Sequence, residues 1–451
     1  MMRYGLVGKT LAHSYSKEIH ESLGRYEYDL FSLSSDEMTD LVRSGDFDGL
    51  NITIPYKKDV IPLCDEVSDL ARAIGAVNTL YWKEPGAQSG HILVGHNTDY
   101  EGFLYAAKRA DITFEGKNVL VLGSGGTSLT VRKAVSDSGA AKVYVASRRP
   151  SASTDKQPTG CTTAPLDTSD HLPADAPSSG CDIRLISYSQ LPDIASSVQV
   201  IVNTTPVGTY PDNLKSVIEL SDLPHCESVI DVIYNPFKTR LLLDAEKAGL
   251  RFSNGLPMLV AQATAAAGYF LGTPGAFENE NERIIDAMTR RMENLVLIGM
   301  PGSGKSTIGR LLAGQTGKRL VDMDIEIEKR AGMTIPEIFQ RFGEERFRDM
   351  ESGTAADLGK ERGLVIATGG GTILRPENVA ALRQNGKVIH IRRPVFSLPM
   401  DGRPLSKDMG TLKSMEHERL PIYEAASDMT FDNSVDLSEE ELAARLAAFI
   451  G

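Results

Sequence analysis

Gly299-Met-Pro-Gly-Ser-Gly-Lys-Ser306 satisfies the pattern G-x-x-x-x-G-K-[ST] in full, between an apolar strand and a helix that opens at Thr307. In such a loop Gly302, Ser303 and Gly304 offer backbone amides to phosphates, Lys305 reaches the β and γ oxygens, and the Ser306 hydroxyl takes Mg2+. The loop belongs to a protein that binds a nucleoside triphosphate. GTPase base-reading sequences such as N-K-x-D are absent from the chain, so the acceptor must be read elsewhere.

A second glycine loop, Gly123-Ser124-Gly125-Gly126-Thr127-Ser128, follows the apolar stretch KNVLVL. Gly123 and Gly125 remove side chains where a pyrophosphate must approach the backbone, and the helix that follows presents free N–H groups. Ser128 stands at the third glycine position, a mild departure. About twenty residues on, a dinucleotide unit commonly carries an acid for a ribose 2′-hydroxyl. Here the chain reads Ser147-Arg148-Arg149 with no Asp or Glu. Arginines suit a 2′-phosphate, so NADP(H) is expected rather than NAD.

Other polar residues stand at the ends of apolar stretches: Ser14 and Ser16, Thr53 and Lys57, Asn78, and Asp99. Each alone is an ordinary structural residue. Together they suit a polyhydroxylated substrate.

These groups must be positioned by alternating elements. Residues 1 to about 100 pass from YGLVG to the helical KEIHESLGRY, then FDGLNITIP, then the helical DLARAIGAVNTLYW, which indicates an α/β unit. From Gly116 a strand, turn, helix and second strand form a βαβ dinucleotide unit. Residues 150–182 are rich in Ser, Thr, Pro and Asp with no apolar period, and are expected to be an exposed insertion. Strands resume at VQVIVNTTP and SVIDVIYNP. A fresh α/β domain opens at Asn294.

The totals exclude several classes. At 451 residues the chain needs two or three domains. Its 48 basic against 60 acidic residues give −12, against a general nucleic-acid or anionic-membrane binder. Four cysteines without a C-x-x-C pair argue for a reducing compartment and no structural zinc. The charge-free run Leu256–Gly272 holds Pro257, Gln262, Thr264 and Gly268 and reads as a docked helix, too short for a span of about 20 apolar residues. MMRYGLVGKT shows no apolar signal core, so a cytoplasmic location is expected. Oligomeric state, including a homo-oligomer, is left open.

The order H-S-x-S, N-x-T-x-P-x-K, G-A-V-N-T, N-T-D-x-x-G-F, G-x-G-G, N-T-T-P-x-G and N-G-L-x-M-L-x-x-Q resembles shikimate dehydrogenase over roughly residues 3–275. That resemblance implies that Ser14, Ser16, Thr53, Asn78, Asp99 and Gln262 hold the substrate, that Lys57 and Asp99 are the catalytic pair, and that Gly255 joins the cofactor loop. Reduction of a ring ketone needs a proton donor beside the developing alkoxide; Lys57 would supply it and Asp99 orient it. Lys17 stands where the family usually has Pro, and Thr209 where it usually has Met.

The second half, with D-x-D, G-E-x-x-F-R, G-G-G, R-P-L and R-x-x-x-Y, resembles shikimate kinase over about Asn294–Gly451. By position, Asp322 would help place Mg2+ and Asp324 would accept a hydrogen bond from the attacking hydroxyl, with Lys305 on the phosphates. Arg348 and Arg419 would bind the substrate carboxylate, Gly369, Gly370 and Gly371 would offer amides, and Arg403 would sit in a lid over ATP. The fold expected is α/β throughout: an N-terminal substrate α/β domain (1–100 and about 240–275) with a Rossmann NADP-binding domain (101–239), together 1–290. A P-loop α/β domain of nucleoside-monophosphate-kinase type follows over 291–451. The small-molecule substrates implied are 3-dehydroshikimate and shikimate, so that the product of one half is the substrate of the other. Two alternatives stay open: one half serving as a ligand-sensing module, and a broader specificity that includes quinate with NAD.

Overall fold

The computed structural model describes residues 3–11, 14–83, 92–148, 181–398, 409–435 and 437–450. These form two compact units, Met1–Asp286 and Ala287–Gly451.

The first unit holds two sheets. One contains β1 (Tyr4–Gly8), β2 (Tyr28–Ser32), β3 (Gly49–Ile52), β4 (Glu66–Val67), β5 (Thr79–Trp82) and β6 (Leu93–His96) in the order β2-β1-β3-β5-β6-β4. β1 runs parallel to β3, whereas β5 is antiparallel to both β3 and β6. The C-terminal ends of β1, β3 and β6 and the N-terminal end of β5 therefore share one edge. Thr53, Asn78 and Asp99 stand beside those ends, and Ser14, Ser16 and Lys57 lie on the segments that leave them.

The stretch from Asp69 to Trp82, expected as helical throughout, changes partway. Its helix stops at Ile74, where Gly75 takes a left-handed φ of 73° and caps it, and Thr79–Trp82 becomes a strand. Pairing on both sides of β5 overrides any local helical preference.

The second sheet is wholly parallel: β7 (Asn118–Leu122), β8 (Lys142–Ser147), β9 (Asp182–Ser187), β10 (Val200–Asn203), β11 (Ser228–Asp231) and β12 (Arg251–Ser253), in the order β12-β11-β10-β7-β8-β9. This is the doubly wound dinucleotide-binding order, with its switch point between β7 and β10. β12 lies past residue 239, so the parallel sheet extends beyond the boundary expected for it. Fully buried aliphatic residues cover both faces, Val119 and Val121 on one and Leu120 and Leu122 on the other, as a helix-covered parallel sheet requires. The helix Leu256–Phe270 is buried along most of its length. Gly102 lets the helix Asp99–Arg109 cross it closely, since a Cβ there would meet the Met258 carbonyl oxygen at 2.6 Å.

The second unit carries β13 (Asn294–Ile298), β14 (Arg319–Asp322), β15 (Leu364–Ala367), β16 (Gly386–Arg392) and β17 (Met429–Asp432), all parallel, in the order β14-β15-β13-β16-β17. The central strand β13 feeds the phosphate loop directly. Among the described residues no helix is long and apolar enough to cross a membrane.

Candidate active sites

In the first unit Ser14, Ser16, Thr53, Lys57, Asn78, Asp99, Thr127, Gly255 and Gln262 line one cavity of about 360 Å3. Tyr234 and Asn51, not anticipated from sequence, line it too. Lys57 Nζ lies 2.5 Å from Asp99 Oδ2, with both side chains largely shielded from solvent. Asn78 Nδ2 donates to Asp99 Oδ1 at 2.9 Å, so each carboxylate oxygen has its own donor. Gln262 Nε2 donates to the Leu259 carbonyl at 2.8 Å. That bond uses one of the two amide protons, so the amide oxygen and the second proton stay able to meet a ligand.

The glycine loop abuts this cavity through Thr127. Gly123 has φ 101°, and a Cβ there would meet Thr204 Oγ1 at 2.9 Å; both demands select glycine. Gly125 and Gly126 face open space, and the helix Gly126–Asp137 begins without a side-chain cap, leaving Ser124 to Thr127 with amides for an anion. Gly255 has a packing role of its own, since a Cβ would stand 2.0 Å from the Val232 carbonyl oxygen. Ser147 closes β8, and Arg148 follows it, exposed, where its charge acts on Tyr188. Arg149 and residues 150–180 of the expected insertion lie outside the described residues.

The two departures are accounted for locally. Lys17 Nζ donates to the Tyr28 carbonyl at 2.6 Å and pairs with Glu21 at 2.9 Å. Thr209 Oγ1 donates to the Pro206 carbonyl at 2.7 Å.

A polar network at the end of β10 and β11 was not legible in advance. Asp231 is fully buried and accepts from Asn203 Nδ2 at 3.0 Å, Ile233 N at 3.1 Å and the Thr239 hydroxyl at 2.7 Å. Burial pushes its carboxyl up to about 6, against these bonds. Asn203 Oδ1 in turn accepts from the Thr205 amide and hydroxyl, tying down the turn after β10. An aspartate closing the apolar run SVID was the available signal.

In the second unit Gly299, Gly302 and Gly304 all have left-handed φ, at 147°, 85° and 98°. Lys305 Nζ donates to the Gly299 and Met300 carbonyls at 2.9 and 3.0 Å. Asn433, after β17, clamps the loop by donating to the Ser303 carbonyl at 2.8 Å. Thr307 lies in the first turn of the helix Lys305–Thr316. Ser306 Oγ stands 2.7 Å from Asp322 Oδ2, and Asp322 Oδ1 accepts from the Asp324 amide at 3.1 Å.

Asp324, Arg348, Arg419 and the three glycines converge. A Cβ on Gly369 would meet Asp324 Oδ1 at 3.0 Å, and one on Gly371 would meet Arg348 Nη1 at 2.4 Å. Arg348 is braced by Glu351 at 2.8 Å and Glu344 at 3.1 Å. Glu351, almost wholly buried, also accepts from the Thr372 hydroxyl at 2.6 Å. Arg419 Nη1 and the Tyr423 hydroxyl both donate to the Gly370 carbonyl, at 3.0 and 2.5 Å. Arg419 Nε is buried with no hydrogen-bond partner among the described residues, so it suits an incoming carboxylate. Burial and the neighbouring Asp322 push Asp324 up to about 6. Burial and the charges of Arg392 and Lys305 lower His390 to about 4. Sequence reasoning gave no role to Glu351, Tyr423 or Asn433; Glu351 had a local signal, three residues after Arg348 on one helix face, and Tyr423 stands in the R-x-x-x-Y motif. Arg403 lies outside the described residues.

Comparison with known proteins finds matches in both units. Residues 6–80 match the model of the shikimate dehydrogenase substrate binding domain, and residues 301–450 match that of shikimate kinase. A shikimate dehydrogenase (NADP(+)) of Clostridium perfringens is 33% identical over 274 residues, covering 59% of this chain and 91% of that protein. The solved shikimate dehydrogenase 1 of Peptoclostridium difficile superposes with a TM-score of 0.52 at 30% identity, over 64% of this chain and 98% of the other. A chorismate mutase/shikimate 5-dehydrogenase fusion protein from Clostridium acetobutylicum gives 0.53 at 31% identity, over 64% and 97%. The chain thus belongs to the shikimate dehydrogenase family and, through residues 301–450, carries a shikimate kinase domain as well.

Proposed function

We propose that the chain reduces 3-dehydroshikimate to shikimate with NADPH and phosphorylates shikimate on its 3-hydroxyl with ATP and Mg2+. One observation carries the reading: an ammonium–carboxylate pair at 2.5 Å in the wall of a cavity whose other polar lining groups are hydroxyls and amides. The reading assigns dehydrogenation to residues 1–290 and phosphorylation to 291–451, both acting on soluble metabolites in the cytoplasm.

Ser14, Ser16, Thr53, Asn78 and Gln262 hold the ring hydroxyls and carboxylate. Lys57 gives its proton to the developing alkoxide and takes it back in the reverse direction, while Asp99 keeps the ammonium in place. The Gly123–Thr127 loop fits a dinucleotide, with one left-handed glycine, two open glycines and an uncapped helix start; Ser147, Arg148 and Arg149 would meet a 2′-phosphate. NADPH, when bound, supplies the hydride. The Clostridium relative is named as NADP(+)-dependent. A solved dehydrogenase from Thermus thermophilus, 28% identical with a TM-score of 0.50 over 63% of this chain and all of the other, holds NADP(H) and shikimate.

In the second unit Ser306 and Asp322 pair a hydroxyl with a carboxylate, a donor set suited to a hard divalent cation. ATP with Mg2+, when bound, supplies the phosphoryl group. Gly302 to Thr307 hold the phosphates, with Lys305 as their cation, and Arg403 would close over them. Arg348 and Arg419 fix the carboxylate of shikimate, Gly369 to Gly371 border the ring, and Asp324 accepts the hydrogen bond of the attacking hydroxyl. Its raised pKa suits it to take that proton.

The test is a coupled assay on the purified chain with 3-dehydroshikimate, NADPH, ATP and Mg2+, following NADPH loss and shikimate 3-phosphate separately. Both signals are expected. NADPH loss with unphosphorylated shikimate accumulating would make the second unit a binding module.

A further inference from the structure

Asn78 and Asp99 do not stand alone beneath Lys57. The Asn78 side chain must present its amide nitrogen, not its oxygen, to Asp99, and its immediate surroundings decide that choice. Asn78 Oδ1 accepts from the Thr98 amide at 2.7 Å and from the Thr79 hydroxyl at 2.9 Å. The Thr79 hydroxyl has one proton and two lone pairs. Its proton goes to Asn78. Its lone pairs face Asn51 Nδ2 at 3.2 Å and the Thr98 hydroxyl at 3.0 Å. Asn51 is fixed from behind by the Tyr28 hydroxyl, which donates to its Oδ1 at 2.8 Å. Thr79 is fully buried and Thr98 likewise, and neither lines the cavity.

From this we infer that Thr79 is a positioning residue for the hydride-transfer site: its hydroxyl joins Asn51 to Asn78 and so sets the orientation of the amide that holds Asp99 against Lys57. The inference rests on the functional reading above. Valine in its place would keep the volume and remove the junction. Asn51 Nδ2 would then lose its closest acceptor and Asn78 Oδ1 one of its two close donors, inside the protein, where an unpaired amide is costly. Because Thr79 does not line the cavity and acts through the Asn78–Asp99 bond that holds Lys57, the cost should fall more on turnover than on substrate binding.

The experiment measures shikimate oxidation with NADP+ for the unaltered chain, Thr79→Val and Thr79→Ser, with shikimate phosphorylation by the same preparations as a check on the rest of the chain. Thr79→Val should lower kcat about tenfold, with KM for shikimate and for NADP+ changed less than about twofold and phosphorylation unaltered. Thr79→Ser, which keeps the hydroxyl and loses only the methyl, should stay near the unaltered kcat. Unchanged turnover in Thr79→Val, an equal loss in both variants, or a rise in KM at constant kcat would each overturn the role. Should Thr79→Val fail to fold, Thr79→Ser decides alone: near-normal kcat supports the hydroxyl, and a tenfold loss overturns it. If the unaltered chain does not oxidise shikimate, the functional reading itself fails and the role falls with it; turnover indifferent to Thr79→Val sinks only the role of Thr79.

Discussion

Two carboxylates serve the two proposed reactions, and their settings are opposite. Asp99 meets a cation: Lys57 sits on one oxygen and an amide N–H on the other. Asp324 sits in a shielded place with Asp322, Glu351 and Glu328 around it and Lys305 as the opposing charge, and burial first, then Asp322, lift it to about 6. The first arrangement gives each oxygen of an acid a donor of its own, so that the acid holds a proton donor in place. The second moves an acid toward neutrality so that it can take a proton. A lysine fixed by its acid and an acid raised by its neighbours are two routes to proton transfer.

Breaking each site separately gives the largest effect. Lys57→Ala removes the proposed proton donor and strands Asp99, so the NADPH-dependent reaction should fall about 10³-fold. Phosphorylation should stay within about twofold. Lys305→Ala should do the reverse, with a loss of similar size. Both rates measured on the same preparations check this; a shared loss would mean that the sites are not independent.

How much of this was legible follows from where the signal lay. Lys57, Asp99, Lys305 and Asp324 occur in short motifs with fixed spacing; the structure has the first two on a cavity wall, the third in the phosphate loop and the last beside Gly369. Their convergence was not local. Thr53, Asn78 and Asp99 meet because β5 runs against β3 and β6, and the run Asp69–Trp82 hid that strand behind helix-compatible residues. The supporting shell was less visible still. Asp231 and Asn433 bond to side chain or backbone 8 and 130 residues away, at Thr239 and Ser303, and no periodicity announces such a pairing. Glycines are ambiguous in sequence: Gly123 and Gly255 both belong to motifs, yet Gly255 also answers to a backbone carbonyl.

Asp231 sharpens the comparison as a third case, a buried acid held by neutral donors. Its folded-state value, raised from 3.8 to about 6, means that the folded chain binds this proton more tightly than the unfolded one. Below about pH 4 both states are protonated and no penalty exists. Stability is then lost as pH rises from about 4 to about 6, and the loss stays constant above that. Asp231→Asn has no such proton, and the Thr239 hydroxyl can turn to accept from the new amide. Relative to the unaltered chain, the variant should therefore gain about 2–3 kcal/mol between pH 4 and pH 7. Calorimetry of both chains across that range checks it. A pH-independent difference would show that the donors, not the charge, decide this site.

Glu328 offers a milder probe of the crowded acid, because it is a minor contributor to the upward shift of Asp324. Steric crowding is the stronger lever at the same site. Gly371 has no room for a side chain, since its Cβ would fall 2.4 Å from Arg348 Nη1 and 2.7 Å from Nη2. Arg348 cannot yield freely, being tied to Glu351 and Glu344. Gly371→Ala should therefore displace the guanidinium and raise KM for shikimate about tenfold, with kcat falling less, because Asp324 keeps its place. Gly353, exposed on the same helix as Arg348, meets nothing within 4 Å. Gly353→Ala should leave both constants alone and raise the melting temperature of the second unit by about 2–3 °C through helix propensity. If the two alanines changed KM alike, the arginine's fixed position would not be what selects the carboxylate.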